Sequence, residues 1–208
     1  MKDERGDVGR AKAGFSRRAF LKGTGAAAAS TALATGAGIV EAQQGDDATK
    51  VIGPGPTAIT LDVNGKQEKL TVEPRMTLLE ALRNKLNLTG AKPVSEDGVS
   101  GASTIWVDGK PMSASTLLAV ACVGKKIRTV ESLGGDKPDI VPRSFVKHDG
   151  QQCGFCTPGF VVAVRAFLDK NPKASEAEIR AGLNGNICRC GTYANIVQAA
   201  IDVVKGTV

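Results

Sequence analysis

The sequence predicts an α+β chain, two β-hairpins around one helix followed by a bundle of four helices, and three features carry that prediction. Short stretches of strand-forming residues flank Asn64-Gly65 and Asp108-Gly109, dipeptides that close tight hairpins because both residues tolerate positive φ. Between the hairpins, Thr77 and Glu80 have the spacing of a capping box, in which hydroxyl and carboxylate satisfy backbone N–H groups at a helix start. After Gly134-Gly135-Asp136-Lys137-Pro138 the apolar residues recur at helical spacing.

Element by element, residues 43–56 are polar and end in Gly53-Pro54-Gly55-Pro56, which reads as a flexible arm. Thr57–Val63 and Gln67–Val72 form the first hairpin. Leu78, Leu79, Leu82 and Leu86 share one face of the helix that Thr77 opens, which ends near Asn87. A long loop runs from Leu88 to Gly101. Thr104–Val107 then turns through Asp108-Gly109 into Met112, and Lys126–Val130 supplies a last strand. This order suggests a small domain of the β-grasp kind over residues 57–133, with the helices over 138–205. Of these, one spans about Pro142 to Asp149, and the next, Pro158–Lys170, places Phe160, Val164, Phe167 and Leu168 on one face before Asn171-Pro172 stops it. Ser175 and Glu178 repeat the capping box for a helix toward Leu183. Tyr193–Lys205 buries Ile196, Val197, Ala200, Ile201 and Val204 before Gly206.

Residues 1–42 belong to neither part. Ser16-Arg17-Arg18-Ala19-Phe20-Leu21-Lys22 is a twin-arginine signature, a small-residue run follows from Gly23 to Val40, and Val40-Glu41-Ala42 is a cleavage pattern. Gln43 is the expected mature start, and the periplasm the expected location. The competing reading is a membrane anchor, but a span needs roughly 20 strongly apolar residues, and this run is mostly Ala, Gly, Ser and Thr. No stable membrane span is expected. Without residues 1–42 the chain keeps 20 basic and 17 acidic residues, spread with no cationic stripe, which argues against nucleic-acid binding.

Four of the five cysteines sit in two tight pairs, Cys153-Gly154-Phe155-Cys156 and Cys188-Arg189-Cys190, with 31 residues between the pairs. Four thiolates from two interhelical turns suit a two-iron, two-sulfide unit, each iron taking two. Disulfides or a four-sulfur zinc site are the blander alternatives. A cluster inserted before export, by a route that moves folded proteins, keeps these cysteines from pairing in an oxidising compartment. Cys122, in the apolar run Leu117–Val123, reads as a small core residue. His148, the only histidine, is expected to be a helix-end residue bonded to backbone, the alternative being a role near the cofactor. Arg189 either balances charge at the site or faces solvent. No nucleophile–base pair is identifiable, so no catalytic residue is expected.

Gln152-Cys153-Gly154-Phe155-Cys156-Thr157-Pro158-Gly159 and Gly185-Asn186-Ile187-Cys188-Arg189-Cys190-Gly191-Thr192-Tyr193 closely resemble the small iron-sulfur subunit of the xanthine dehydrogenase and aldehyde oxidoreductase family of molybdenum hydroxylases. The resemblance runs from about Thr57 to Val204. It implies an N-terminal β-grasp, ferredoxin-like domain and a four-helix domain whose 2Fe-2S cluster is held by Cys153, Cys156, Cys188 and Cys190. It also implies docking on a large subunit that carries molybdopterin, with Gln152 and Cys190 contacting the pterin. Aldehyde or N-heterocycle oxidation then belongs to the large subunit, and this chain transfers electrons, with a FAD subunit or a cytochrome as acceptor. A redox-silent structural subunit with a retained zinc or iron site is the alternative.

The family's pattern breaks at one place. Its first domain carries a second cluster on a C-x4-C-x2-C run with a distant fourth cysteine, and here Ser95, Ser100, Ser103 and Ser115 stand at those positions. A serine hydroxyl is a hard, neutral oxygen that does not replace a soft thiolate on iron. One cluster instead of two is the expectation.

Overall fold

The structure, a computed structural model, describes residues 52–208. The twin-arginine segment, its cleavage site and residues 43–51 of the expected arm lie outside the described residues, and residues 52–56 are exposed without helix or strand. Five strands, β1 (Thr57–Val63), β2 (Lys66–Val72), β3 (Thr104–Val107), β4 (Lys110–Ser113) and β5 (Lys126–Arg128), make one mixed sheet in the order β2-β1-β5-β3-β4. Both hairpins are antiparallel, with Val63 opposite Lys66 and Val107 opposite Lys110. Asn64 and Asp108 have φ of 53° and 49°, and the glycines after them 78° and 75°, the double positive φ that matches strand twist. β5 joins the hairpins, parallel to β1 and antiparallel to β3.

The last strand is shorter than its sequence pattern. Thr129 gives its backbone N–H to Asn64 Oδ1 at 2.9 Å rather than to a neighbouring strand, and Val130–Leu133 coils into a 3₁₀ turn. The helix after Thr77 also departs from expectation. Its capping box is present, with Thr77 N–H on the Glu80 carboxylate at 2.9 Å and Glu80 N–H on the Thr77 hydroxyl at 3.2 Å. The α-helical turn α1 (Leu78–Glu80) then widens into a π turn over Ala81–Lys85, closed by the Leu86 N–H on Ala81 O at 3.3 Å. Widening inserts a residue into the turn, so Leu78, Leu79, Ala81 and Leu82 are buried while Leu86 is only half-buried.

Four helices follow: α2 (Ile140–Lys147), α3 (Thr157–Lys170), α4 (Glu176–Gly182) and α5 (Tyr193–Lys205). α2 begins and ends two residues before its sequence reading. The Asp139 carboxylate caps the Val141 N–H at 2.9 Å, leaving Pro142 in the first turn where no intrahelical N–H is needed. At the other end Asp149, with φ of 50°, cannot continue the helix. Ser175 and Glu178 cap α4 reciprocally, and Gly206 closes α5 in the left-handed conformation. Ile201 and Val204 of α5 and Phe167 of α3, expected in the core, are only partly buried at its edge.

Two hydrophobic clusters result. β3 serves both through strand alternation: Ile105 and Val107 pack with α1, while Trp106 on the opposite face packs into the helical cluster. Arg128 stacks over the Trp106 ring at 4.8 Å. Phe160, 1% exposed, lies at the centre of the helical cluster with its ring edge-on to Tyr193 at 6.0 Å. Phe160→Ala is expected to cost about 3–5 kcal/mol, read as a lower urea midpoint with an unchanged slope.

Candidate metal centre

Both cysteine pairs come from turns at helix ends. Cys153 and Cys156 lie on the turn entering α3, where Cys156 precedes Thr157 and Pro158 sits in the first turn. Cys188 and Cys190 lie on the turn from α4 into α5. Asn195 Nδ2 donates to Asp149 O at 3.1 Å, tying α5 to the segment that leads into the first pair. All four cysteines are free; Cys188 is buried, Cys156 half-buried, and Cys153 and Cys190 exposed. The disulfide alternative therefore has no counterpart among the described residues.

Each thiol lies near one from the other turn, Cys153 near Cys190 and Cys156 near Cys188, close enough to alter its proton affinity. Among the described residues no three His, Cys, Asp or Glu side chains gather around one point as a single ion requires. Two couples side by side are instead the donor set of a two-iron unit.

Their proton affinities differ. The Phe155 backbone N–H and then the Cys190 thiol draw Cys153 down from its ordinary range. Burial raises Cys188, but hydrogen bonds from the Thr192 hydroxyl and backbone, the Cys156 thiol and the Cys190 backbone outweigh it and bring it to about 7. Burial, then the Cys188 thiol, pushes Cys156 up to about 12. At Cys190 the Cys153 backbone pulls the value down, yet the Cys153 thiol, desolvation and neighbouring thiolates raise it overall. Each of these thiols must lose its proton to bind a metal.

Several supporting residues were not singled out by the sequence pattern. Thr192 Oγ1 lies 3.2 Å from Cys188 Sγ, and the Tyr193 hydroxyl accepts the Cys188 N–H at 2.7 Å, fixing this buried cysteine at both its side chain and its backbone. Both residues belong to the second motif, which was the available signal. Beside Cys156, the buried Thr157 hydroxyl has no hydrogen-bond partner, and a sulfur cluster offers the acceptors such a donor needs. The donor set and this hydroxyl fit a 2Fe-2S group.

Phe155, Ile187 and Tyr193 are exposed around the cysteines, as is Gln152. Lys92 sits over the Phe155 ring at 6.0 Å. Arg189 faces solvent. Cys122 is 1% exposed in the sheet cluster, far in packing terms from the other four.

His148 departs from its sequence reading. It caps α2, but its Nε2 bonds the Asp202 carboxylate of α5 at 2.8 Å, not backbone. Lys147 Nζ reaches the same oxygen at 2.9 Å and Gln198 the other at 3.1 Å. Lys147 first, then His148, holds the Asp202 carboxyl well below its ordinary range. A depressed folded value stabilises the fold above the unfolded carboxylate's pKa, near 3.9, and that contribution fades as pH falls below it. Asp202→Asn is thus expected to flatten the acid side of the stability profile below about pH 4, read by unfolding at stepped pH.

Ser95 pairs with Ser100 and Ser103 with Ser115, with Ser103 buried and the other three half-buried. Among the described residues no helix is long and apolar enough to cross a membrane.

Comparison with known proteins agrees with the site. The family model of the [2Fe-2S] binding domain matches residues 129–201. The chain is 42% identical over 160 residues to the aldehyde oxidoreductase iron-sulfur-binding subunit PaoA of Escherichia coli O157:H7, covering 69% of this chain and 70% of that protein. It is 40% identical over 144 residues to the nicotine 6-hydroxylase small subunit of Paenarthrobacter nicotinovorans, covering 69% and 87%. A chain of quinoline 2-oxidoreductase from Pseudomonas putida 86 superposes with a TM-score of 0.68 at 41% identity, covering 74% of this chain and 99% of that one. With these similarities and the paired thiols together, the chain belongs to the iron-sulfur subunits of molybdenum hydroxylases of the aldehyde oxidoreductase and xanthine dehydrogenase family.

Proposed function

We propose that this chain is the electron-transfer subunit of a periplasmic, molybdopterin-dependent hydroxylase, holding one 2Fe-2S cluster at Cys153, Cys156, Cys188 and Cys190. The observation that carries this reading is that two helix-end turns, one entering α3 and one between α4 and α5, present the two cysteine pairs with all four thiols free. Residues 57–133 are read as a β-grasp, ferredoxin-like domain and residues 138–205 as a four-helix 2Fe-2S-binding domain. Residues 1–42 are read as a twin-arginine signal and 43–56 as a mature arm.

Bound at these cysteines, a 2Fe-2S group supplies one-electron redox chemistry. The chain's own residues hold and shield that position. Thr192 and Tyr193 fix Cys188, and the Thr157 hydroxyl is a buried donor beside Cys156. Exposed Phe155, Ile187 and Tyr193 give an apolar rim suited to a protein partner, here a molybdopterin-binding large subunit. Gln152 and Cys190, both exposed, are read as the residues that face the pterin. The large subunit would oxidise an aldehyde or an N-heterocycle, the substrate classes in the names of the relatives. A FAD-carrying subunit or a cytochrome is the acceptor class.

Purification of the complex from its host, with metal analysis, tests the reading. About two irons per copy of this chain, molybdenum on the partner, and a paramagnetic two-iron signal on reduction by substrate are expected. A complex that turns over substrate with that signal silent would overturn it.

A further inference from the structure

The serine positions do not suit iron. Ser95 and Ser100 hydroxyls lie 2.7 Å apart, and Ser95 Oγ also accepts the Ser100 N–H at 3.1 Å. Ser103, Ser113 and Ser115 close a triangle of hydroxyls at 2.9, 3.1 and 2.9 Å, and Ser103 Oγ accepts the Ser115 N–H at 3.4 Å. Each hydroxyl has one proton to give and two lone pairs to receive, so these oxygens satisfy one another. Hydroxyls satisfied by one another are not poised to bind a metal, and a neutral oxygen is a poor ligand for a sulfide cluster.

The same loop bears on the cysteines. Ser100 O accepts the Ile187 N–H at 3.0 Å, and Gly101 O accepts Asn186 Nδ2 at 2.9 Å, a buried bond across 85 residues of sequence. Residues 186 and 187 directly precede Cys188. A side chain on Gly159, in the first turn of α3, would collide with Gly101 O, so the start of the helix that follows Cys156 rests on this loop as well. Gly101 itself has φ of 66° and no room for a Cβ against Gly185 O.

Resting on the single-cluster reading above, we infer that residues 95–115 form a metal-free platform in which hydroxyl-to-hydroxyl bonds replace an inorganic cross-link, and that this platform positions the Cys188–Cys190 turn. Ser103 and Ser115 are positioning residues that act through the carbonyls of Ser100 and Gly101.

The test uses the full chain and its Ser103→Ala/Ser115→Ala variant, which breaks the triangle. Iron per chain is expected to stay at the wild-type level, while amide exchange at Ser115 and Ile187 accelerates about tenfold and the reduced cluster's paramagnetic signal shifts. Loss of iron with exchange at Ile187 unchanged would show that the serines hold metal, and would overturn the inference. Unchanged exchange at Ile187 with an unchanged signal would overturn it equally. If the double variant does not fold, Ser95→Ala, which breaks the separate Ser95–Ser100 bond, is read by amide exchange at Ser100 and Ile187, by iron per chain and by the paramagnetic signal. Wild-type chain without iron would sink the single-cluster reading alone, because the exchange comparison still decides whether the hydroxyls hold the loop.

Discussion

Cys188→Ser is expected to leave the purified chain without iron, falling from about two per chain to near none, with loss of the visible absorption of sulfide-to-iron charge transfer. Cys188 is the thiol the fold prepares most thoroughly. It is 6% exposed, its backbone N–H is held by Tyr193, and hydrogen bonds bring its proton affinity to about 7, so thiolate is abundant near neutral pH. A hydroxyl in the same place stays protonated and hard, which removes one donor from a couple that needs both. Cys122→Ser is the matched control. Cys122 is buried in the sheet cluster, where burial raises its proton affinity, and its replacement is expected to leave iron unchanged at the cost of some stability. Equal loss of iron from both variants would mean that the cysteine couples are not the site.

The second large effect runs the other way. Ser95→Cys, Ser100→Cys, Ser103→Cys and Ser115→Cys made together are expected to raise iron from about two to about four per chain, because a soft donor set is restored where the loop already draws the positions together. The hydroxyls lie at 2.7 Å in one couple and 3.1 Å in the other, so larger sulfurs must open the loop slightly. Ser95 and Ser115 line one surface cavity with Pro93, Val94 and Glu96, and that open side is where the expansion is easiest. A quadruple variant that stays at about two irons would show that the loop has closed on itself beyond recovery.

Local chemistry was legible wherever it acts over a few residues. Asn64-Gly65 and Asp108-Gly109 fold as their φ preferences demand, and the capping boxes at Thr77 and Ser175 form with the expected partners. Other boundaries moved for reasons that lie outside their own segment. β5 ends early because Asn64, 65 residues away, takes the Thr129 N–H, and α1 widens into a π turn to bring Ala81 and Leu82 into a core made by the strands. Asp202 could not be linked to Lys147 and His148 from spacing, since it lies 55 and 54 residues from them.

By itself the sequence determined the donor types, four cysteines in two short-spaced pairs, and the absence of sulfur at Ser95, Ser100, Ser103 and Ser115. Ligand chemistry is a property of side chains, so it can be read without coordinates. Only the tertiary structure decided which thiol faces which, that the serine hydroxyls close on one another, and that their loop carries the residues before Cys188. Those are contacts between segments distant in the chain, and their geometry follows from how the sheet and the helices pack around Trp106, which no local pattern encodes.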